Sequence, residues 1–258
     1  MLNLKNNIIL ELINLSKLYR TPASSALVVS NFNLTVSSQE FVSIIGHSGC
    51  GKTTVLSMIA GLIYPDSGSI ELEGKDIKKP GPDRGLVFQS PNLLPWMTAL
   101  ENVYLGVNHV FSSLSKRQKK EQCMYYLDKV GMSKHYNKSS SELSQGMKQR
   151  VGIARAFAIK PKILLLDEPF GMLDSFTRME LQDVLLEIWT QEKITALMVT
   201  HDVDEAIYLS DKVVMMTKGP AASIGGVLKV DVERPRDREN LGSSSRCQDL
   251  RETILNFL

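Results

Sequence analysis

Residues Gly46 to Thr54 read GHSGCGKTT, a glycine-rich run ending in a lysine and two hydroxyl residues. The spacing fits GxxxxGK(S/T), and it follows the β-rich run FVSII and opens the helical run KTTVLSMIAGLI, the context in which that pattern cradles phosphate. Gly46, Gly49 and Gly51 let the loop turn so that backbone N–H groups point inward, with His47, Ser48 and Cys50 filling the turn between them. Lys52 then brings a point charge to the outer phosphates, the Thr53 hydroxyl is a ligand for Mg²⁺, and Thr54 continues into the helix. The bland reading is a glycine-rich turn before a lysine-headed helix, and Cys50 reads as a small filler rather than a redox group.

Two acids end another apolar run, KILLLDEP, which places Asp167 and Glu168 at the carboxyl end of a buried strand, where α/β sheets bind ligands. Asp167 can hold the hydration shell of Mg²⁺ and Glu168 can polarise an attacking water. A solvent-facing strand end also tolerates acids, so the phosphate loop gives the pair its meaning. The run ITALMVTH ends at His201, which should emerge at the same sheet edge and can bridge a terminal phosphate and a water. Further upstream, SELSQGMKQRV begins a helix: Ser144 can cap the first turn, and Val151, Ala154 and Ala158 follow at helical spacing. Such a start offers unpaired N–H groups and the positive end of the helix dipole to an anion.

Strand and helix signals must carry these groups. Ile8 to Tyr19 and FNLTVSSQEFVSIIG read as strands, SIELEG and GLVFQ as short strands, and Pro91 to Lys160 as mostly helical. From KILLLDEP onward, strand-like runs alternate with helical ones, including DSFTRMELQDVLLEIWTQE, DVDEAIYLS and KVVMMT. This is the signature of an α/β fold with a largely parallel sheet, interrupted by a helical insertion. The stretch GSSS at 242 to 245 reads as a loop before a short terminal helix from Leu250 to Leu258. With 43% hydrophobic and 22% charged residues the chain has an ordinary globular composition, and a net charge of +2 singles out neither nucleic acid nor an anionic membrane. Three widely spaced cysteines without a CxxC pair indicate neither a disulfide framework nor a zinc site. The start MLNLKNNIILELINL lacks an apolar block followed by a small-residue cleavage site, and no apolar run is long enough to span a membrane.

Taken in order, Gly46 to Thr53, Gln89 after GLVF, LSQGMKQR, ILLLDEP, GMLD and His201 resemble the nucleotide-binding subunit of ATP-binding cassette (ABC) transporters across nearly the whole chain. The resemblance implies an α/β P-loop NTPase fold of ABC type, with a mixed sheet core, an N-terminal antiparallel β subdomain and an inserted helical subdomain. It implies one nucleotide-binding domain over 1–258, with a catalytic core lobe at 1–90 and 161–241, a helical subdomain at 91–160 and a tail at 242–258. By the same resemblance Gln89 senses Mg²⁺, Asp174 in GMLD aligns a dimer, and Tyr19 stacks on adenine, although an early-strand aromatic is otherwise ordinary packing. Ser144, Gln145 and Gly146 act on ATP held by a second cassette, so each site is composite. One well-placed donor in such a clamp is worth roughly 10²–10³ in rate. Gln145 departs from the family's LSGG at its third position, which bears on backbone approach and dimer closure. As a first helical residue it needs no unusual φ.

The resemblance also implies ATP and Mg²⁺ as cofactors, ATP hydrolysis as the activity, a second cassette as partner in a homo- or heterodimer, and separate membrane permease subunits fed by a solute-binding protein. The chain then sits peripherally on the cytoplasmic face of the inner membrane, with no nucleic-acid partner. A GTPase reading fails because NKSS at 137 to 140 lacks the final acid of NKxD. The segment SPNLLPWMTALENV, with Leu93, Leu94, Pro95 and Trp96, is where the family receives a permease helix, or else is plain helical-lobe core. The basic run KRQKK at 116 to 120 reads as a solvated helix face. ILLLDEPFGMLDSFTR, MVTHDVDEAIYLSDKVVMMTKGPAASIG and ERPRDR look most like the nitrate, cyanate and bicarbonate importer group, with sulfonate and taurine importers next. A non-transport regulatory ABC ATPase is the rival class.

Overall fold

The computed structural model describes residues 7–22 and 24–258; the reading of the first six residues as part of a start without a leader lies outside them. In chain order the elements begin with β1 (Ile8–Thr21), β2 (Ser24–Ser37), β3 (Phe41–Ile45), α1 (Lys52–Ala60), β4 (Ser67–Leu72), β5 (Lys75–Asp76) and β6 (Arg84–Val87). Then come α2 (Ala99–Val110), α3 (Lys116–Lys129), α4 (Gln145–Ala158), β7 (Ile163–Asp167), α5 (Ser175–Glu192), β8 (Thr195–Thr200) and α6 (Val203–Leu209). The chain closes with β9 (Lys212–Met216), β10 (Ile224–Lys229), α7 (Arg238–Ser243) and α8 (Ser245–Phe257). Two compact units form, one from residues 1–81 and 195–258, the other from 82–194.

The first unit contains two sheets. An antiparallel sheet runs β2-β1-β4-β5, and a mixed one runs β10-β9-β3-β8, with β3 parallel to both β8 and β9 and β10 antiparallel to β9. Every residue of β3 and of β8 is buried. Strands covered on both faces must read as continuous apolar runs, which is why FVSII and TALMVT do not alternate. The register pairs Ile45 with Thr200 and with Met215, so the residues after β3 and after β8 leave the sheet at one edge. Below this sheet α6 and α8 enclose a core of Ile45, Ala206, Ile207, Val213, Leu250 and Ile254.

The tail departs from the sequence expectation. In place of a loop at 242 to 245, α7 extends through Ser243 and α8 starts at Ser245, five residues before Leu250. Ser244 accepts the Cys247 amide at 3.4 Å and so caps α8, while Cys247, Leu250 and Ile254 supply a buried stripe at helical spacing. The polar serines that suggested a loop are thus a helix cap and its flanks.

In the second unit β6 and β7 pair in parallel, with Val87 opposite Leu166, and α2, α3 and α4 pack on one another. Local chemistry starts two of these helices. Thr98 and Glu101 form a reciprocal capping box at α2, and Ser115 and Gln118 do so at α3. The basic run at 116 to 120 is the first turn of α3, although Lys119 is buried and donates to Asn108 at 2.9 Å. Among the described residues no helix is long and apolar enough to cross a membrane.

Candidate nucleotide site

The phosphate loop spans the gap between β3 and α1. Gly51 is the N-cap of α1 at φ 103° and Gly49 sits at φ 78°, left-handed values that a side chain resists. Gly46 has another reason to be glycine: a Cβ there would lie 2.9 Å from Cys50 Sγ and 3.0 Å from the Met216 carbonyl. Cys50 is buried beneath the turn, consistent with a filler. Lys52, 5% exposed, donates from Nζ to the carbonyls of Gly46 at 2.7 Å and His47 at 3.0 Å, which holds its ammonium over the loop. Thr53 and Thr54 follow in the first turn of α1. His201 comes directly after β8, exposed, and the Ile45–Thr200 pairing sets it beside Gly46 at the sheet edge.

His47, Ser48 and Gly49 line a cavity of about 430 Å³ together with Leu27, Val28 and Lys218. Tyr19 is outside that lining but pairs with Ala26, which belongs to it. Tyr19 is 43% exposed and Lys17 Nζ stands 5.7 Å from its ring centre. Lys218 was not picked out from the sequence. Its signal is the turn Lys218-Gly219-Pro220 after β9, the strand beside β3, and that turn lies against the loop, since a Cβ on Gly219 would be 3.9 Å from the Gly49 carbonyl.

The second unit gathers the acids. Asp167 is the last residue of β7, and the parallel register of β6 and β7 brings Gln89 and Glu168 out at the same end. Gln89 Nε2 donates to Glu168 Oε2 at 3.4 Å. Glu168 adopts φ 42°, a left-handed conformation that costs a non-glycine residue about 1–3 kcal/mol and is concentrated at functional sites. The Gly171 amide donates to the Glu168 carbonyl at 3.1 Å and closes the turn.

That turn leads to a second cavity, of about 450 Å³, where the N-termini of α4 and α5 converge. Ser144 caps α4 by accepting the Met147 amide at 3.3 Å, and Asp174 caps α5 by accepting the Thr177 amide at 3.0 Å. That amide, with the Thr177 hydroxyl, holds the Asp174 carboxyl below the usual carboxylate value. Gln145 is the first residue of α4, outside the left-handed region as expected, and its Nε2 reaches Met172 Sδ at 3.8 Å. Ser144, Gln145, Gly146 and Asp174 all line this cavity.

The ABC transporter family profile matches residues 29–171, more than half of the chain. The chain is 50% identical over 245 residues to the bicarbonate transport ATP-binding protein CmpD of Synechococcus elongatus, covering 95% of this chain and 88% of that one. It is 48% identical over 244 residues to the nitrate transport protein NasD of Klebsiella oxytoca, covering 94% and 93%. Among solved structures, the dimeric post-hydrolysis state of the ATP-binding cassette MJ0796 bound to ADP and Pi superposes with TM-score 0.78 at 29% identity, over 87% of this chain and 100% of that one. With the phosphate loop, the acidic strand end and the signature helix in the order that first suggested it, the chain belongs to the ABC transporter family as one of its ATP-binding cassettes.

Proposed function

We propose that the chain is the ATP-hydrolysing subunit of an importer for a small planar oxyanion, nitrate or bicarbonate. The observation that carries the ATPase reading is the loop from Gly46 to Lys52, whose two left-handed glycines and tethered lysine form an anion cradle at the head of α1. The oxyanion is supported by relatives near 50% identity named for bicarbonate and nitrate transport. Both solutes are trigonal anions with three oxygens.

In this reading the N–H groups of Gly46 to Thr54 bind the phosphates, Lys52 neutralises their outer charge, and Tyr19 packs on the base. The Thr53 hydroxyl, the Gln89 carboxamide oxygen and the Asp167 carboxylate are hard oxygen donors, a set that fits Mg²⁺ with phosphate and water completing its shell. When bound, that ion neutralises charge developing on the phosphates. Glu168 accepts the proton of the attacking water and His201 holds the terminal phosphate and that water in line. Ser144, Gln145 and Gly146 serve the ATP of a second cassette aligned through Asp174, so hydrolysis requires dimer closure. The partners are that second cassette, homo- or heterodimeric, and membrane permease subunits supplied by a solute-binding protein, with this chain peripheral at the cytoplasmic face.

The test is Glu168→Gln in the cassette assembled with its permease. ATP should bind with unchanged affinity while turnover falls at least 10²-fold and closed dimers accumulate. Normal turnover would overturn the assigned base. Uptake of labelled nitrate and bicarbonate by the wild-type assembly then names the solute, and transport of neither would remove the oxyanion assignment.

A further inference from the structure

Two helix N-termini meet at the second cavity, and one contact fixes their register. A Cβ built on Gly146 would stand 2.8 Å from Thr177 Cγ2 on α5, inside any distance real carbon atoms keep. Thr177 sits in the first turn of α5, where its amide donates to Asp174 Oδ1 at 3.0 Å, and its β-branched side chain has few χ1 rotamers open to it in a helix, so the methyl stays against α4. Around this point Gln145 Nε2 reaches Met172 Sδ at 3.8 Å and Arg150 Nη2 pairs with Glu180 at 2.8 Å. All of these groups belong to the second unit.

We infer that the contact between Gly146 and Thr177 is a positioning lock, by which the carboxylate of Asp174 fixes the first turn of the signature helix α4 from within the same chain. Glycine at 146 is then required by the chain's own α5, apart from any need for close approach to phosphate. Gln145 belongs to the same block: its side-chain amide donates to Met172 Sδ at 3.8 Å, two residues before the cap of α5, a contact glycine could not make. The Asp174 turn and the Ser144 turn therefore move as one body, and a displacement of either displaces both.

The kinetic arm of the test rests on the ATPase reading, and a hydrogen-exchange arm does not. Gly146→Ala should lower kcat about tenfold or more in the unaltered chain, and Thr177→Ser, which keeps the hydroxyl and removes the methyl, should recover about fivefold of that loss, leaving whatever cost arises at the phosphate. Thr177→Val, which keeps methyl groups and loses the hydroxyl, should give no such relief. An equal cost of Gly146→Ala in the presence and absence of Thr177→Ser, or no cost at all, would overturn the lock. In the full chain without nucleotide, Asp174→Ala should raise amide exchange at Met147 and Lys148 on α4 although the substitution lies at α5; unchanged exchange there would also overturn it. If Lys52→Ala and Glu168→Gln leave hydrolysis intact, the ATPase reading fails instead, and the exchange result still judges the lock.

Discussion

Replacing Gly49 and Gly51 of the phosphate loop by alanine separates two physical demands that the motif presents as one. At Gly49 the backbone is left-handed at φ 78° but a Cβ would meet nothing within 4 Å, so only backbone strain is added, about 1–2 kcal/mol. At Gly51 the φ of 103° brings similar strain, and the Cβ would also stand 2.8 Å from Val28 Cγ1 and 3.1 Å from Val29 Cγ2. Overpacking of that kind costs about 1–3 kcal/mol, for a total near 4 kcal/mol. If ATP binds only the native loop, these costs appear as lost affinity, roughly tenfold for Gly49→Ala and on the order of 10³ for Gly51→Ala. Titration calorimetry with ATP measures both, and thermal melting shows whether the core is spared. Adding Val28→Ala to Gly51→Ala removes the nearest clash and not the strain, so roughly thirtyfold of the affinity should return. Gly49→Ala as damaging as Gly51→Ala, or no recovery with Val28→Ala, would refute the reasoning.

Arg236 is buried and donates to the carbonyls of Ile207, Tyr208 and Ser210 at 2.7–2.9 Å, closing the end of α6; Arg236→Met strands these acceptors and should cost about 3–5 kcal/mol, seen as a fall in Tm of about 10 °C. Lys218→Ala should raise the KM for ATP severalfold with kcat unchanged, because the side chain lines the cavity beside the loop. Gln145→Gly should keep ATPase activity within severalfold, whereas Ser144→Arg should abolish it. Asp66 is held below the ordinary carboxylate value, first by the Leu18 amide and then by Lys17, so its contribution to stability is complete above about pH 4 and is lost as pH falls through its lowered folded value. Asp66→Asn should remove that part of the acid dependence in urea melts taken from pH 6 to pH 3. Burial pushes the Cys123 thiol up to about 12, so it should resist thiol reagents at pH 8 until the chain unfolds.

Most of the candidate site can be proposed from the sequence because its chemistry is local there. The loop from Gly46 to Thr54, the strand end at Asp167 and Glu168 and the cap at Ser144 each sit where one element gives way to the next, and such junctions leave strong residue signals. Lys218 is marked only by an ordinary Lys-Gly-Pro turn, and it takes the pairing of β9 with β3 to bring that turn to the loop. The tail differs from the sequence expectation for a related reason: serines signal loops and helix caps alike, and burial of Cys247, Leu250 and Ile254 decides between them.

By itself the sequence determined which groups could meet a nucleotide, since residue type and spacing fix donors, charges and element boundaries through short-range sterics and hydrogen bonding. Tertiary structure alone decided what several of those residues pack against. Gly46 answers to a carbonyl of Met216, Gly51 to Val28 and Gly146 to Thr177, contacts made across 170, 23 and 31 positions of chain. Packing at such separations leaves no local pattern, because the space a side chain may occupy is set by whichever element folds against it.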